Sequence, residues 1–195
     1  MICGIILASG FSRRFGKDKL IQEIDGEKII EKIIKQAKNS NFKELIIVYR
    51  NYYIRAIADK YNIKSVHNID ANKGQSSSLK KGILANEQDC NGFMFLMGDQ
   101  PFLKSEHINR LIDEFRNNNS TKIIVPRYLG VNGSPVIFPT CLKECLLNIS
   151  GDTGGKKVIN KNLEKVHFVN FEEAIVGKDI DTLDELRQIK DDYYE

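Results

Sequence analysis

Basic side chains and small residues stand together near the start of the chain. They directly follow an apolar run that reads as a buried strand, Ile2–Leu7. Small residues at such a position let backbone N–H groups approach phosphate oxygens closely, while Arg and Lys supply positive charge. The segment therefore predicts a site for a small, phosphorylated anion. Its members, in chain order, are Leu7, Ala8, Ser9, Gly10, Arg13, Arg14, Lys17 and Lys19.

Two familiar phosphate-binding loops do not fit this segment. A dinucleotide fingerprint needs three glycines in the pattern G-x-G-x-x-G, whereas the glycines here are Gly10 and Gly16. A Walker A loop has four residues between its glycines and then Lys and Ser or Thr. Here five residues intervene, and Asp18 stands where the hydroxyl would hold Mg²⁺. From the residues alone, a basic surface turn remains the alternative.

Carboxylates stand at the ends of predicted elements at two distant places in the chain. Asp99 follows the apolar run Phe93–Met97, and Asp179 and Asp181 precede a predicted helix near the end of the chain. Carboxylates suit Mg²⁺ that carries a polyphosphate. Each also has a structural alternative, since Asp99 could cap a turn and Asp181 could cap the helix.

A run of small polar residues, Gly74–Leu79, follows a third apolar segment. Its residues Ser76, Ser77 and Ser78 stand at a predicted helix start, where serine commonly caps the backbone. Their hydroxyls and amides could instead bind a ligand by hydrogen bonds.

The pattern of the whole chain predicts an α/β fold. Continuous apolar strands that alternate with amphipathic helices indicate a mostly parallel, open sheet in three layers. Ligands of such sheets bind beyond the carboxyl ends of the strands. The predicted strands are Ile2–Leu7, Leu45–Tyr49, Ile63–His67, Phe93–Met97 and Lys122–Val125, and the predicted helices are Glu27–Lys38, Tyr52–Tyr61, Ser76–Ala85 and Ser105–Phe115.

The last third of the chain departs from this alternation. Asn132-Gly133 is a hairpin signal and predicts an antiparallel addition before Val136–Phe138. A helix is predicted at Leu142–Asn148. Thr182 and Glu185 match a capping box, which predicts a last helix from near Leu183 to about Lys190.

Length and composition exclude several classes of protein. The 195 residues, 42% hydrophobic and 28% charged, indicate one globular domain, 1–195. The net charge of +3 is too small to indicate nucleic-acid binding, and no apolar run is long enough to span a membrane. We expect a cytoplasmic protein. Its four cysteines, including Cys141 and Cys145, are expected to be buried free thiols.

The first segment resembles the opening signature of the nucleotidyltransferases of the MobA/MocA type, L-A-x-G-x-S-x-R-M-G-x-x-K. Phe15 replaces the usual Met. The segment from Gly98 to Pro101, followed by Phe102-Leu103, is close to the L-G-D-Q-P-L segment of the cytidylyltransferases in that family. Gly74–Leu79 resembles their G-x-S-S-S-L segment, and Asp179–Thr182 resembles the D-I-D-T ending of the family. The residues that match the first signature are Leu7, Ala8, Gly10, Ser12, Arg14, Gly16 and Lys19.

The resemblance implies a Rossmann-like fold of the nucleotide-diphospho-sugar transferase type and a reaction. The reaction transfers CMP from CTP to molybdenum cofactor and releases pyrophosphate. Asp99 and Asp181 would hold Mg²⁺, or Mn²⁺ in its place, and Arg14, Lys19 and Asp99 would be catalytic. The implied nucleotide-binding residues are Leu7, Ala8, Ser9, Gly10, Arg14, Lys19, Gly74, Ser76, Ser77, Ser78 and Asp99.

The acceptor half of the implied site departs from the family pattern. Ser134 stands where the family usually has His, and Lys156 where it has Arg. Together with Gly133 and Asp152 these residues are expected to bind the acceptor, in a part of about 104–195, while about 1–103 binds the nucleotide. The alternatives are GTP, another acceptor such as a sugar or alcohol phosphate, or a noncatalytic nucleotide-binding chaperone. A molybdoenzyme or its maturation factor is the expected protein partner.

Overall fold

A central sheet with helices on both faces organises the chain. The computed structural model describes residues 1–12, 15–16, 18–182, 184–185 and 188. The strands are β1 Ile2–Ala8, β2 Glu23–Ile24, β3 Glu27–Lys28, β4 Glu44–Tyr49, β5 Lys64–His67, β6 Gly92–Met97, β7 Ile123–Tyr128, β8 Val131–Asn132, β9 Val136–Pro139 and β10 Val166–Phe171. The helices are α1 Ile29–Lys38, α2 Tyr52–Lys60, α3 Gln75–Ala85, α4 Ser105–Asn117, α5 Lys143–Leu147 and α6 Lys156–Asn160.

The strand order of the main sheet is β10-β7-β9-β6-β1-β4-β5, with β8 paired to β7. The central strand β1 runs parallel to both neighbours, so that Ile5 lies between Ile46 of β4 and Phe95 of β6. Strand β9 runs antiparallel to β6 and to β7. This confirms the predicted α/β class, mostly parallel with an antiparallel addition in the C-terminal part.

Alternation along β1 builds a separate core on each face of the sheet. Ile2 and Ile6 pack with apolar residues of α1, α2 and α4. Cys3, Ile5 and Leu7 pack on the other face with apolar residues of α3, α5 and α6. Successive side chains of a strand point to opposite faces, so a strand buried on both must be apolar throughout. The helices that cover the two cores and the sheet between them form the three layers of the fold.

The helix predicted from Glu27 begins two residues later, at Ile29. Glu27–Lys28 instead forms β3, which pairs antiparallel with Glu23–Ile24 after a turn. Asp25 and Gly26 in that turn have positive φ angles of 56° and 74°. Their left-handed backbone is typical of tight hairpins and explains why the strand pair displaces the first predicted helical residues.

The C-terminal hairpin exists, but its predicted turn is wrong. The turn is Leu129-Gly130, with φ angles of 47° and 84°, rather than Asn132-Gly133. Asn132 instead pairs with Arg127 in the ladder, and its side-chain oxygen accepts a hydrogen bond from Arg127 Nε at 2.9 Å. These contacts hold Asn132 in a strand, which the local Asn-Gly signal does not reveal.

Besides β8, two further elements of the last third were not predicted, α6 and β10. The helix predicted at 142–148 occupies Lys143–Leu147. The capping box is confirmed, since Glu185 N donates to Thr182 Oγ1 and Thr182 N donates to Glu185 Oε2, both at 3.1 Å. Asp184, Glu185 and Gln188 are helical, whereas Leu183, 186–187 and 189–195 lie outside the described residues.

The expected burial of the cysteine thiols holds only in part. Cys3 is buried in β1, but Cys141 and Cys145 are exposed. Cys141 lies in a short 3₁₀ turn before α5 and Cys145 on the outer side of that helix. In the described part of the chain, we find no helix with both the length and the apolar character that a membrane crossing requires.

Candidate active site

A cavity of about 460 Å³ opens at the carboxyl end of β1. Because β1 lies between β4 and β6, the loops after β1 and β6 meet there. Most of the residues predicted to bind a nucleotide line this cavity, whereas Ala8, Ser76 and Ser77 are not on its wall. The predicted residues that line it are Leu7, Ser9, Gly10, Lys19, Gly74, Ser78 and Asp99.

The loop after β1 is held by its own polar contacts. Lys19 N donates to Ser12 Oγ at 3.2 Å, and Leu20 N donates to Asp18 Oδ1 at 3.2 Å. Asn51, after β4, donates its side-chain N–H to Asp18 Oδ2 at 2.6 Å. Asp18, which departs from the Walker pattern, therefore fixes the backbone on which Lys19 stands. Arg14, the second predicted catalytic cation, lies outside the described residues.

Lys19 joins the two carboxylates that the sequence places 82 residues apart. Its Nζ lies 2.5 Å from Asp99 Oδ2 and 2.9 Å from Asp181 Oδ1. Burial by itself would lower the pKa of Lys19, but the charges and hydrogen bonds of Asp99 and Asp181 outweigh this effect and raise the pKa. The amine is therefore a fully charged ammonium between two carboxylates.

The backbone brings the two acids together. Ile180 N donates to Asp99 O at 3.1 Å, and the Ile180 side chain is buried in the core below. Asp179, on the other side of Ile180, is an exposed residue. Partial desolvation of its carboxyl group by the surrounding protein, with a smaller contribution from the charge of Asp99, raises the pKa of Asp179 to about 6. The segment before the last helix thus adds two acids to the end of β6.

The Asp99–Asp181 pair has features of a divalent-metal site. Asp99 Oδ1 is buried without a hydrogen-bond partner among the described residues, which is costly unless something binds it. No group of three or more His, Cys, Asp or Glu side chains converges in the described parts of the chain. The pair could therefore hold Mg²⁺ only if other oxygens, such as those of a phosphate or water, complete its coordination.

Polar side chains form a buried cluster at the side of the cavity formed by α3 and the end of β5. Ser9 Oγ and Ser78 Oγ are 2.5 Å apart, and Asn68 Nδ2 lies within 3.3 Å of Ser9, 2.9 Å of Ser77 and 3.0 Å of Ser78. Ser76 is buried nearby. Three of the four predicted serines thus take part in one hydrogen-bond network.

The N-terminus of α3 contacts a distant loop. Gln75 N donates to Asp152 Oδ1 at 3.1 Å. Gly74 has a φ of 90°, and a Cβ at this position would come within 2.6 Å of the same oxygen. Only glycine satisfies both constraints without displacing the loop. Asp152, predicted to bind the acceptor, therefore also stands on the wall of the first cavity.

A second cavity of about 560 Å³ adjoins the first and shares Leu7, Gln75, Met97 and Asp152 with it. The four residues predicted to bind an acceptor, Gly133, Ser134, Asp152 and Lys156, all line it. Tyr128 donates its hydroxyl to Ser134 O at 2.8 Å and so supports that wall. The two cavities together form one cleft that could hold two ligands side by side.

Sequence reasoning missed two glutamines that line this cleft, Gln75 and Gln100, and two asparagines that support it from behind, Asn51 and Asn68. Asn51 and Asn68 follow strands as single asparagines, a pattern that is typical of any turn. Gln75 and Gln100 stand inside the segments Gly74–Leu79 and Gly98–Pro101, but no role was predicted for either side chain. Gln75 lines both cavities and Gln100 lines the second. Only the position of Asn68 directly after a predicted strand end could have drawn attention to it.

Comparisons with known proteins give the family. Residues 4–166 match the model of the MobA-like NTP transferase domain. The purine catabolism protein PucB of Bacillus subtilis (strain 168) is 28% identical over 168 residues, which cover 81% of this chain and 80% of PucB. A probable molybdenum cofactor guanylyltransferase of Natranaerobius thermophilus is 32% identical over 137 residues, or 66% of this chain and 62% of that protein.

The fold comparison agrees with the sequence match. The crystal structure of Rv0371c in complex with manganese, from Mycobacterium tuberculosis H37Rv, covers 97% of this chain and 98% of its own, with a TM-score of 0.81 and 23% identity. At this identity the likeness shows the fold. Since the family model covers most of the chain, the protein belongs to the family of the MobA-like NTP transferase domain and is a nucleotidyltransferase.

Proposed function

We propose that this nucleotidyltransferase transfers CMP from CTP to the phosphate of molybdenum cofactor and releases pyrophosphate. The observation that carries the proposal is the contact of Lys19 with both Asp99 and Asp181, at a cleft with room for two ligands. In such an arrangement the two carboxylates can bind a divalent ion, and the ammonium can neutralise the polyphosphate that the ion carries.

The reaction requires little more than positioning and charge. The acceptor phosphate is already ionised at neutral pH, so no strong general base is needed. One of its oxygens forms a bond to the α-phosphorus of CTP, and the bond from that phosphorus to the oxygen bridging to the β-phosphate breaks. Because two anions must meet, holding them in line and neutralising the leaving pyrophosphate are the main tasks of the protein.

Lys19 would neutralise the triphosphate and the charge that develops on pyrophosphate. It is well placed for this, since its backbone is fixed by Ser12 and Asp18 while its ammonium remains at the cavity. Arg14 is proposed to assist Lys19 from the same loop. Hydrogen-bond donors and charges that are positioned in advance need not reorganise during the reaction.

Asp99 and Asp181 would hold Mg²⁺, or Mn²⁺ in its place. Bound there, the ion would offset the repulsion between the phosphates and favour departure of pyrophosphate. Asp99 Oδ1, which is buried and has no hydrogen-bond partner in the described part of the chain, supports this assignment. The manganese complex of Rv0371c, a protein of the same fold, is a further reason to propose a divalent ion.

The remaining predicted residues fall into two groups in the proposal. The nucleotide group, in a part of about 1–103, includes Leu7, Ala8, Ser9 and Gly10 after β1 and the segment from Gly74 to Ser78. The acceptor group, in a part of about 104–195, consists of Gly133, Ser134, Asp152 and Lys156, which line the second cavity. Asp152 contacts α3 and also lines both cavities, so it would lie between the two substrates.

Guanosine is the second candidate for the transferred nucleoside. The relative from Natranaerobius thermophilus is named a probable guanylyltransferase, and its identity with this chain is 32%. The choice of CTP is supported by the resemblance of the segments at 74–79 and 98–103 to those of cytidylyltransferases.

A turnover assay tests the proposal. The protein is incubated with molybdenum cofactor, Mg²⁺ and each of the four ribonucleoside triphosphates, and pyrophosphate and dinucleotide are measured. We expect CTP to react at least about 10-fold faster than GTP. Faster reaction with GTP would favour the second candidate, and turnover only with a sugar or alcohol phosphate would change the acceptor. CTP binding without turnover with any acceptor would favour a chaperone.

A further inference from the structure

The serine–asparagine cluster consists of the buried polar residues Ser9, Asn68 and Ser78 and the half-buried Ser77. Ser9 and Ser78 are each 5% exposed and Asn68 is 1% exposed. Buried polar groups are costly unless each is hydrogen-bonded, so the hydrogens of this cluster can be assigned one at a time. Ser9 and Ser78 also line the nucleotide cavity, whereas Asn68 lies behind them.

The orientation of the Asn68 amide is fixed by a backbone group. Asp70 N donates to Asn68 Oδ1 at 3.1 Å, and a backbone N–H can only donate. Asn68 Nδ2, the other end of the amide, must therefore point at the serine hydroxyls. The backbone N–H of Asn68 itself donates to Tyr49 O at 2.7 Å, which anchors the residue to the end of β4.

The cluster contains one hydrogen more than it can use. The Asn68 amide supplies two hydrogens, and its shorter contacts direct them to Ser77 Oγ at 2.9 Å and Ser78 Oγ at 3.0 Å. Ser77 donates its own hydrogen to Gly74 O at 2.8 Å. One hydrogen joins Ser9 and Ser78. The other hydroxyl hydrogen of this pair has no acceptor among the described residues.

We propose that Asn68 is a specificity-determining positioning residue, which orients the Ser9–Ser78 pair so that its surplus hydrogen donates to the O2 keto oxygen of cytosine. This inference rests on the proposed use of CTP. Asn68 does not touch the nucleotide. Because the Asn68 amide donates to the serine hydroxyls, these hydroxyls cannot donate their own hydrogens to Asn68. One hydroxyl hydrogen of the Ser9–Ser78 pair must therefore face the cavity.

Replacing the amide by a carboxylate reverses the network. In Asn68→Asp, an oxygen stands where Nδ2 was and accepts hydrogens from the serines, so that the pair presents lone pairs to the cavity instead of a hydrogen. The keto oxygen of the base then faces an acceptor. A mismatch of this kind costs a factor of about 10 to 100 in affinity.

The probe is 2-thio-CTP, in which a sulfur replaces the O2 oxygen, since sulfur is a weak hydrogen-bond acceptor. Dissociation constants of CTP and 2-thio-CTP are measured by calorimetry with Mg²⁺ for the wild type, Asn68→Asp and Asn72→Asp. Asn72 lies on the wall of the same cavity and is exposed, so Asn72→Asp adds the same charge without touching the serines.

We expect the wild type to bind CTP about 10-fold or more tightly than 2-thio-CTP. In Asn68→Asp the two constants should become equal within about 2-fold, while Asn72→Asp weakens both nucleotides alike and keeps the wild-type ratio. With CTP as substrate, KM of Asn68→Asp should rise while kcat changes less than about 3-fold. A purely structural role for Asn68 would leave the ratio of the two nucleotides unchanged.

Equal binding of both nucleotides by the wild type, or an unchanged ratio in Asn68→Asp, overturns the inference while the proposed use of CTP stands. The affinities of the wild type for CTP and 2-thio-CTP test the inference even if Asn68→Asp fails to fold. If the wild type binds neither CTP nor 2-thio-CTP, the proposed use of CTP fails and the inference fails with it.

Discussion

Removing the ammonium of Lys19 should have opposite effects on metal binding and on catalysis. In Lys19→Met the chain keeps a side chain of similar length but loses the charge that lies 2.5 Å from Asp99 and 2.9 Å from Asp181. The two carboxylates then lose the ammonium that lies between them. A divalent ion no longer competes with the ammonium, so Mn²⁺ alone should bind more tightly.

The burial of Lys19, Asp99 and Asp181 sets the expected changes in folding stability and in Mn²⁺ affinity. Lys19 and Asp99 are 13% and 14% exposed, so an unpaired Asp99 should cost about 1–3 kcal/mol of folding stability in EDTA. Asp181 is 41% exposed, and solvent screening makes its share small. Relief of the competition should raise the affinity for Mn²⁺ by about 10-fold or more, since 1.4 kcal/mol corresponds to a factor of ten.

Catalysis should change in the other direction, with turnover reduced by about 100-fold to 1,000-fold, the usual effect of losing one positioned donor at a developing negative charge. Free Mn²⁺ is followed by electron paramagnetic resonance, stability by urea unfolding in EDTA, and turnover by pyrophosphate release. Lys35→Met is the matched control, because Lys35 pairs with Glu27 at 2.7 Å but is half exposed and lines neither of the two cavities. An Mn²⁺ affinity of Lys19→Met equal to or below that of the wild type would refute the reasoning.

Three further changes test other parts of the molecule. Asp99→Asn should reduce turnover at least about 100-fold if it holds the metal, and near-normal pyrophosphate release would remove that role. Gly82→Val should cost about 1–3 kcal/mol in urea unfolding, because a Cβ at Gly82 would collide with the sheet below α3, whereas Leu84→Val, on the exposed side of the same helix, should change stability by less than about 0.5 kcal/mol. A thiol reagent should label exposed Cys141 quickly and Cys3 only on unfolding, since burial raises the pKa of the Cys3 thiol; equal rates would contradict this.

Strands β1, β4 and β6 could be read from the sequence because they lie inside the sheet and are largely buried on both faces. Such strands must be continuous apolar runs, and the helices between them show one apolar stripe each. In β10 the apolar residues are instead interrupted by His167 and Asn170, and the strand lies at the edge of the sheet. The pairing of β10 with β7 stabilises the strand, and no local sequence pattern predicts that pairing.

The site was predictable where short segments carry the chemistry and not where distant contacts create it. The placement of Asp99 after a buried strand predicted its position at the cavity. Its contact with Asp181 depends on a backbone hydrogen bond from Ile180, which no sequence pattern reveals. Asn68 was missed for a similar reason, because its role depends on hydroxyls from two other elements.

The most direct test of the central proposal is a crystal structure of the protein with CTP and Mn²⁺, in which anomalous scattering locates the ion. The ion should contact oxygens of both Asp99 and Asp181, and the Lys19 ammonium should have moved from the carboxylates to the triphosphate. An ion bound elsewhere, or a triphosphate that lies away from Lys19, would contradict the proposed site.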